Sequence, residues 1–243
     1  MTLSRIYVED SLHEGAVIQL ARDRAHYVHR VLRLGADDAV RVFNSRDGEY
    51  AARLIEVSGA RASVRIETAA HSTTESPLAA TLVQGLCRSQ RMDYCVQKAT
   101  EVGVTRIVPL ITERCVVRLD ERRAAKRLSH WQAIAQSACE QSGRTCVPDI
   151  ETPIRLADLV SRAPIAGPVL LDPDAGERFG DWQFDGDALS LMVGPEGGFT
   201  ADETRQLIDL GAARWRMGPR VLRTETAGVV ALALAQAKWG DLA

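Results

Sequence analysis

The chain has 243 residues, of which 46% are hydrophobic and 26% are charged, and its formal net charge is −2. This length and composition suit one large or two modest globular domains with an ample core. The near-neutral total does not by itself indicate a nucleic-acid-binding protein, although residues 81–150 carry an excess of basic side chains.

Several features argue against a membrane protein or a metalloprotein. The longest apolar run, residues 227–237, is too short to cross a bilayer. The first residues lack the apolar core of a signal peptide, because Arg5, Glu9 and Asp10 interrupt it. The five cysteines form no CxxC pair and no histidine lies at zinc-ligand spacing. We therefore expect a cytoplasmic protein with reduced thiols, no metal and no membrane partner.

The first seventy residues are predicted to form short β-strands and one helix. Alternating or continuously apolar runs, separated by turn signals, lie at 5–8, 16–20, 39–43, 50–57 and 61–67. Strands of this number and spacing favour a small barrel. A helix is expected over residues 22–34, and the face that carries His26, His29, Arg30 and Arg33 is either an exposed polar surface or a basic surface for RNA.

From residue 78 the pattern changes to alternating strands and helices. Strands are predicted at 81–86, 104–110, 169–171, 189–193 and 212–217, and helices begin at Ser89 and extend over about 123–141 and 227–239. Gly103 is expected to end the helix that begins at Ser89. Short apolar strands between helices are typical of an α/β domain with a mostly parallel sheet. We place the domains at 1–72 and 73–243, because the polar stretch at 71–77 ends in proline.

A glycine-rich loop, Gly-Pro-Glu-Gly-Gly at 194–198, directly follows a predicted buried strand. Thr200 and Glu203 then form a predicted capping box for the next helix. Such a loop at the carboxyl end of a parallel strand is either a tight turn or a ligand-binding loop. It matches neither the Walker loop nor GxGxxG, so a phosphate site is not indicated and a nucleotide-dependent kinase or dehydrogenase is disfavoured.

A second turn, Gly-Pro-Arg-Val-Leu-Arg-Thr-Glu-Thr at 218–226, joins a predicted strand to the last helix. Thr224 or Thr226 can cap that helix, but the charged residues Arg220, Arg223 and Glu225 are not needed for capping. The stretch is either a strand-to-helix turn whose charged residues have no functional role, or part of a functional site.

These motifs occur in a fixed order, after Glu-Gln-Ser-Gly-Arg at 140–144 and His-Arg-Val-Leu-Arg at 29–33. Over essentially its whole length the chain resembles the RsmE family of bacterial 16S ribosomal RNA uridine N3-methyltransferases, in the SPOUT superfamily. Two small departures, Gly-Ala-Asp at 35–37 and Ala-Gly at 227–228, lie outside the core motifs.

The resemblance implies an α/β SPOUT domain with a C-terminal trefoil knot, preceded by a small PUA-like β-barrel that binds RNA. It also implies a homodimer with knot helices at the interface. S-adenosylmethionine would lie bent in the knot, held largely by backbone groups. Carried over by position, the cofactor-binding residues are Leu171, Val193, Gly194, Pro195, Glu196, Gly197, Met217, Gly218, Val221, Leu222 and Arg223.

Methylation at uracil N3 requires loss of the N3 proton, and the resulting anion spreads onto O2 and O4. A cationic donor stabilises such an anion and a carboxylate can take the proton. We hypothesise that Arg223 stabilises the anion, and that Glu225 orients it or serves as the base. The alternative for Glu225 is a carboxylate that only complements a helix N-terminus.

Five arginines are predicted to form an RNA-binding surface shared across the dimer: Arg30, Arg33, Arg88, Arg91 and Arg144. Each is alternatively part of a solvated basic face. Two further functions stay open, a non-catalytic RNA-binding assembly factor and a SPOUT ribose 2′-O-methyltransferase. The residues do not identify the target nucleotide, nor whether 16S RNA or the assembled 30S subunit is the substrate.

Overall fold

The protein is described by a computed structural model over residues 3–70, 74–117, 119–162 and 164–242. Its contacts define two compact units, Met1–Glu75 with Cys139–Val147, and Ser76–Ala138 with Pro148–Ala243. The grouping of the segment 139–147 with the N-terminal residues was not predicted from the sequence.

The first unit contains five strands and a short helix. They are β1 (Arg5–Tyr7), β2 (Val17–Gln19), α1 (Arg22–His26), β3 (Ala39–Asn44), β4 (Gly48–Ser58) and β5 (Arg61–Ala70). The strand order is β1-β3-β4-β5-β2, with β1 parallel to β3 and the other pairs antiparallel. Both edge strands have only three residues, and no pairing in the described ranges joins them. Hydrogen bonds therefore do not close the predicted barrel.

The helical segment is shorter and less regular than predicted. After α1 the backbone continues as a π-helical turn, Tyr27–Val31, closed by a hydrogen bond from Leu32 N to Tyr27 O of 3.0 Å. Arg33 then adopts φ +56°, a left-handed conformation that an arginine in a helix does not adopt. Wider turns of this kind occur often at functional sites.

The segment 139–147 is held by buried charged groups. Arg144 is 4% exposed, and its Nη2 lies 2.7 Å from Glu75 Oε2. The other oxygen of Glu75 accepts hydrogen bonds from Thr145 N and Cys146 N. The prediction that Arg144 lies on an RNA-binding surface is therefore wrong in this structure, because a carboxylate of the same unit holds its guanidinium inside the protein.

Glu140, in the same segment, has a carboxylate that is only 7% exposed. Its Oε1 accepts from Tyr7 N at 3.0 Å and from Arg24 Nη1 at 2.9 Å, whereas its Oε2 has no partner among the described residues. Burial raises the pKa of Glu140 above its ordinary value of 4.5, and the positive charge of Arg24 opposes this shift.

The second unit contains the remaining elements. They are β6 (Ala79–Gly85), α2 (Ser89–Glu101), β7 (Arg106–Ile111), α3 (Glu121–Ser142, which ends in the first unit), β8 (Asp149–Ile150), β9 (Ile154–Arg155), α4 (Leu156–Ser161), β10 (Pro168–Leu171), β11 (Ala188–Val193), α5 (Ala201–Asp209), β12 (Ala213–Trp215) and α6 (Thr224–Trp239). No helix of the described ranges combines the length and the apolar character needed to span a bilayer.

The sheet of this unit is parallel, as predicted, with the order β12-β10-β11-β6-β7-β8 and β9 also paired with β7. Its strands are largely buried, which explains why their sequences are continuously apolar. From β6 the chain forms β7 and then β8 on one side of the sheet. The later strands β10, β11 and β12 lie on the other side of β6. This change of direction lies between β6 and β11, a position where open α/β sheets bind ligands beyond the strand ends.

Local signals in the sequence specified several helix ends correctly. Gly103 follows α2 with φ +92°, and Thr200 and Glu203 form the predicted capping box of α5. The last helix differs from the prediction, because it begins at Thr224. Arg223 occupies the cap position without a side-chain cap, so neither Thr224 nor Thr226 caps the helix.

The raised pKa of Glu140 predicts a pH-dependent stability. Above pH 4.5 the unfolded chain releases this proton before the folded protein does, so the free energy of unfolding falls as the pH rises through the raised pKa. The variant E140Q lacks this contribution. In urea unfolding at a series of pH values, the stability of the wild type relative to E140Q should decrease from pH 4.5 upward. A difference that is constant or increases with pH would contradict the assignment.

Candidate functional site

One cavity of about 810 Å³ lies in the second unit, at the carboxyl ends of β10, β11 and β12. Its walls are the loops that leave these three strands and the start of α6. Apolar side chains and exposed backbone groups form much of the lining, including Leu170, Leu171, Val193, Gly194, Pro195, Phe199, Trp215, Met217, Gly218 and Leu222. A flat, largely neutral ring system fits such walls.

The structure brings together almost all of the residues predicted to bind a cofactor. Ten of the eleven line this cavity, from Leu171 through the loop at 193–196 to the turn at 217–223. Gly197 is the exception, because its carbonyl oxygen accepts a hydrogen bond of 3.1 Å from Arg114 Nη1. A Cβ on Gly197 would lie 2.9 Å from Arg114 Cβ. The glycine therefore allows Arg114 to pack against the loop.

The loop at 194–198 lies directly on the end of β6. A Cβ on Gly85 would lie 2.7 Å from the carbonyl carbon of Gly194 and from Pro195 Cδ. Cβ atoms in proteins essentially never come this close to atoms that are not bonded to them. The last residue of β6 therefore has to be glycine for the loop to take this position.

Thr224 fixes the same loop from the side of α6. Its hydroxyl donates to Gly194 O at 2.5 Å and accepts from Gln84 Nε2 at 2.7 Å. Gln84 is fully buried and Thr224 is 7% exposed. Sequence reasoning missed both roles, because it treated Thr224 as a helix cap and Gln84 as an ordinary strand residue.

The cavity is also lined by charged residues. Five arginines (Arg91, Arg214, Arg216, Arg220 and Arg223) and three carboxylates (Asp172, Asp174 and Glu196) line it. Asp172 binds Arg214 through Oδ2, at 2.9 Å from Nε and 2.6 Å from Nη2. This pair was not predicted from the sequence. Its signal there is a charged residue directly after one apolar strand, Asp172, and an opposite charge within another predicted strand, Arg214.

The two predicted catalytic residues differ in their exposure to the cavity. Arg223 lines the cavity with an exposed side chain, and no described residue accepts a hydrogen bond from its guanidinium. Glu225 is 8% exposed and is not among the lining residues. Its Oε1 lies 3.6 Å from Arg91 Nε, and its Oε2 is buried without a partner in the described part of the chain.

Neither thiolate nor metal chemistry is indicated beside the cavity. Burial, reinforced by the negative charges of Glu196 and Glu225, raises the pKa of Cys87 to about 12, so this thiol is protonated at neutral pH. Among the described residues, no three His, Cys, Asp or Glu side chains are grouped to hold a metal ion.

The predicted RNA-binding arginines do not share one environment. Arg30 and Arg33, in the first unit, and Arg88, in the second, are exposed. Arg91 is different, because its Nη1 lies 3.1 Å from Glu196 Oε1 and its Nε faces Glu225. Its guanidinium is thus already paired with two carboxylates.

Family models match most of the chain. A model described as an RNA methyltransferase domain matches residues 74–236, and one described as an RNA methyltransferase PUA domain matches residues 20–67. Two proteins called ribosomal RNA small subunit methyltransferase E are similar over 90% or more of their length. The protein from Buchnera aphidicola subsp. Schizaphis graminum is 30% identical over 99% of this chain and 98% of its own. That from Mycobacterium tuberculosis is 33% identical over 96% and 90%.

Solved structures show the same similarity. Ribosomal RNA small subunit methyltransferase E from Neisseria gonorrhoeae, bound to S-adenosyl methionine, is 36% identical with a TM-score of 0.92, and the match covers 100% of both chains. A methyltransferase from Legionella pneumophila in complex with the cofactor SAM is 35% identical with a TM-score of 0.96, also over 100% of both chains.

The contact between Gly85 and the loop predicts that G85A is destabilised. The added methyl group collides with backbone atoms that cannot rotate away, and such overpacking typically costs about 1–3 kcal/mol. The control is G176A, because a Cβ on Gly176 meets no atom within 4 Å. Urea unfolding should give a lower midpoint for G85A and an unchanged one for G176A. Equal midpoints for G85A and the wild type would disprove the close approach.

Proposed function

Because the chain belongs to the ribosomal RNA small subunit methyltransferase E family, we propose that it transfers a methyl group from S-adenosylmethionine to N3 of a uridine in 16S ribosomal RNA. The observation that carries the proposal is that one cavity, at three strand ends, collects ten of the eleven residues expected to bind the cofactor. The choice of uridine N3 rests on the motif resemblance.

The residues of the cavity fit S-adenosylmethionine. Adenine needs apolar walls and backbone donors and acceptors, which Leu171, the loop at 193–198 and the turn at 217–222 supply. When bound, the sulfonium supplies an activated methyl group. A cationic sulfonium tolerates nearby carbonyl oxygens, and the glycines at 194 and 218 bring backbone close to the ligand.

We assign Arg223 to the anion that forms when uracil loses its N3 proton. Its exposed guanidinium lines the cavity and has no acceptor among the described residues, so its donors are available to O2 or O4 of the base. Preorganised donors at developing negative charge are a large source of catalysis. Glu225 either orients the reacting groups or takes the proton. Its unpartnered Oε2 is compatible with both roles, since it can accept one more hydrogen bond.

Arg30, Arg33 and Arg88 are proposed to contact the RNA backbone. All three are exposed, and arginine binds phosphate through two parallel hydrogen bonds. The irregular turn that leads to Arg33 aims this side chain differently from a continuing helix. In the proposed arrangement residues 1–72, together with Arg88, bind RNA and residues 73–243 carry the reaction.

We further propose a C-terminal trefoil knot, a homodimer and a site of action on the 30S subunit in the cytoplasm. The resemblance supports all of these.

The proposal predicts the product of one assay. Purified small ribosomal subunits that lack the modification are incubated with the protein and radiolabelled S-adenosylmethionine, and nucleosides are then identified by mass analysis. We expect label in N3-methyluridine. Label on a ribose would indicate a 2′-O-methyltransferase, and the absence of both label and cofactor binding would indicate a non-catalytic assembly factor. Either result would overturn the proposal.

A further inference from the structure

Arg91 connects three elements of the site. It lies in the first turn of α2, and its Nη1 is 3.1 Å from Glu196 Oε1 in the loop after β11. Its Nε is 3.6 Å from Glu225 Oε1 at the start of α6. Glu196 also accepts a hydrogen bond of 3.3 Å from the backbone N of Arg88. The guanidinium is therefore held from two sides by carboxylates on separate elements.

Arg91 faces the cavity and Glu225 does not. The arginine is among the lining residues and its side chain is 33% exposed, whereas the side chain of Glu225 is 11% exposed. A ligand in the cavity can reach Arg91 directly, but in this structure it meets Glu225 only behind the guanidinium.

The guanidinium of Arg91 has more N–H donors than its two carboxylate partners use. Arginine carries five N–H groups and no acceptor. Nη1 donates to Glu196 and Nε faces Glu225, while Nη2 has no acceptor in the described part of the chain. Two fixed carboxylates preorganise the remaining donors, so little reorganisation is needed when a ligand binds.

The charge of this cluster argues against phosphate as the ligand. One arginine and two carboxylates carry a net charge of −1 if all are ionised, which repels an anion. A neutral carbonyl oxygen accepts a hydrogen bond without this penalty. Uracil has carbonyl oxygens on both sides of N3, whereas cytosine has an amino donor at one of these positions. A group that only donates therefore favours uracil over cytosine where it faces position 4, because cytosine carries its amino donor there.

We propose that Arg91 donates from Nη2 to a carbonyl oxygen of the target uracil, and that Glu225 serves the reaction by holding Arg91. The inference rests on the proposed function and replaces two earlier assignments. Arg91 binds the base rather than a phosphate, and Glu225 is a positioning residue rather than the proton acceptor.

The test is a double-mutant cycle with R91M and E225Q, read as single-turnover methyl transfer at saturating S-adenosylmethionine and RNA. Saturation separates the rate from any change in cofactor affinity through Glu196. Loss of one preorganised donor typically lowers the rate about 100-fold or more, and we expect this for R91M. Introduced into the wild type, E225Q should lower the rate. Introduced into R91M, it should change the rate by less than about twofold, since the effects of coupled residues are not additive.

Two further variants make the result specific. R91K keeps the charge but cannot hold two carboxylates and a carbonyl together, so it should recover only part of the lost rate. R122M is the control, because Arg122 is exposed on α3 and does not line the cavity, and it should react like the wild type. Thermal unfolding of every variant is measured beside the kinetics, and the rates are compared at a temperature at which all variants are folded.

Two results would overturn the inference. R91M with wild-type rate would exclude Arg91 from the reaction. An equal loss from E225Q in the presence and absence of Arg91 would give Glu225 a role of its own, such as the base. Failure of the proposed function can be distinguished from failure of this inference, because the wild type itself would then produce no N3-methyluridine.

Discussion

The hydroxyl of Thr224 is the contact on which the site depends most. It donates to Gly194 O at 2.5 Å and accepts from Gln84 Nε2 at 2.7 Å, so a single buried oxygen joins the last helix, the glycine-rich loop and the central strand β6. A threonine at this position satisfies a buried carbonyl and a buried amide at once. Leaving either without a partner would cost about 1–3 kcal/mol.

Close backbone approaches make this contact possible. Gly85 lets the loop at 194–198 lie on the end of β6, and Gly228 lets α6 lie on Gln84, since a Cβ there would be 2.8 Å from Gln84 Oε1. With loop and helix fixed against β6, the ends of β10, β11 and β12 enclose one cavity. Gly228, the second residue of the Ala-Gly pair that departs from the family pattern, is thus explained by packing. Gln84 also accepts from Cys95 Sγ at 3.4 Å, so α2 joins the same centre.

Local patterns predicted much of this arrangement. The parallel sheet, the end of α2 at Gly103 and the capping box at Thr200 follow from periodicity and cap chemistry between residues near in sequence. The resemblance correctly indicated which stretches meet at the cavity. Pairings between distant residues were not predictable. Arg144 is an ordinary basic residue in the sequence, and only folding brings Glu75 to it. The same holds for Arg91 with Glu196 and Glu225, and for the hydroxyl of Thr224, which binds another loop rather than its own helix.

The most direct test of this account is calorimetric titration of S-adenosylmethionine into the wild type and T224V. Valine keeps the shape of threonine but removes the donor and the acceptor. If the hydroxyl holds the loop that forms the cofactor site, T224V should stay folded and bind at least about tenfold more weakly, since 1.4 kcal/mol corresponds to a factor of ten. Equal affinity of the two proteins, or no binding to the wild type, would contradict it.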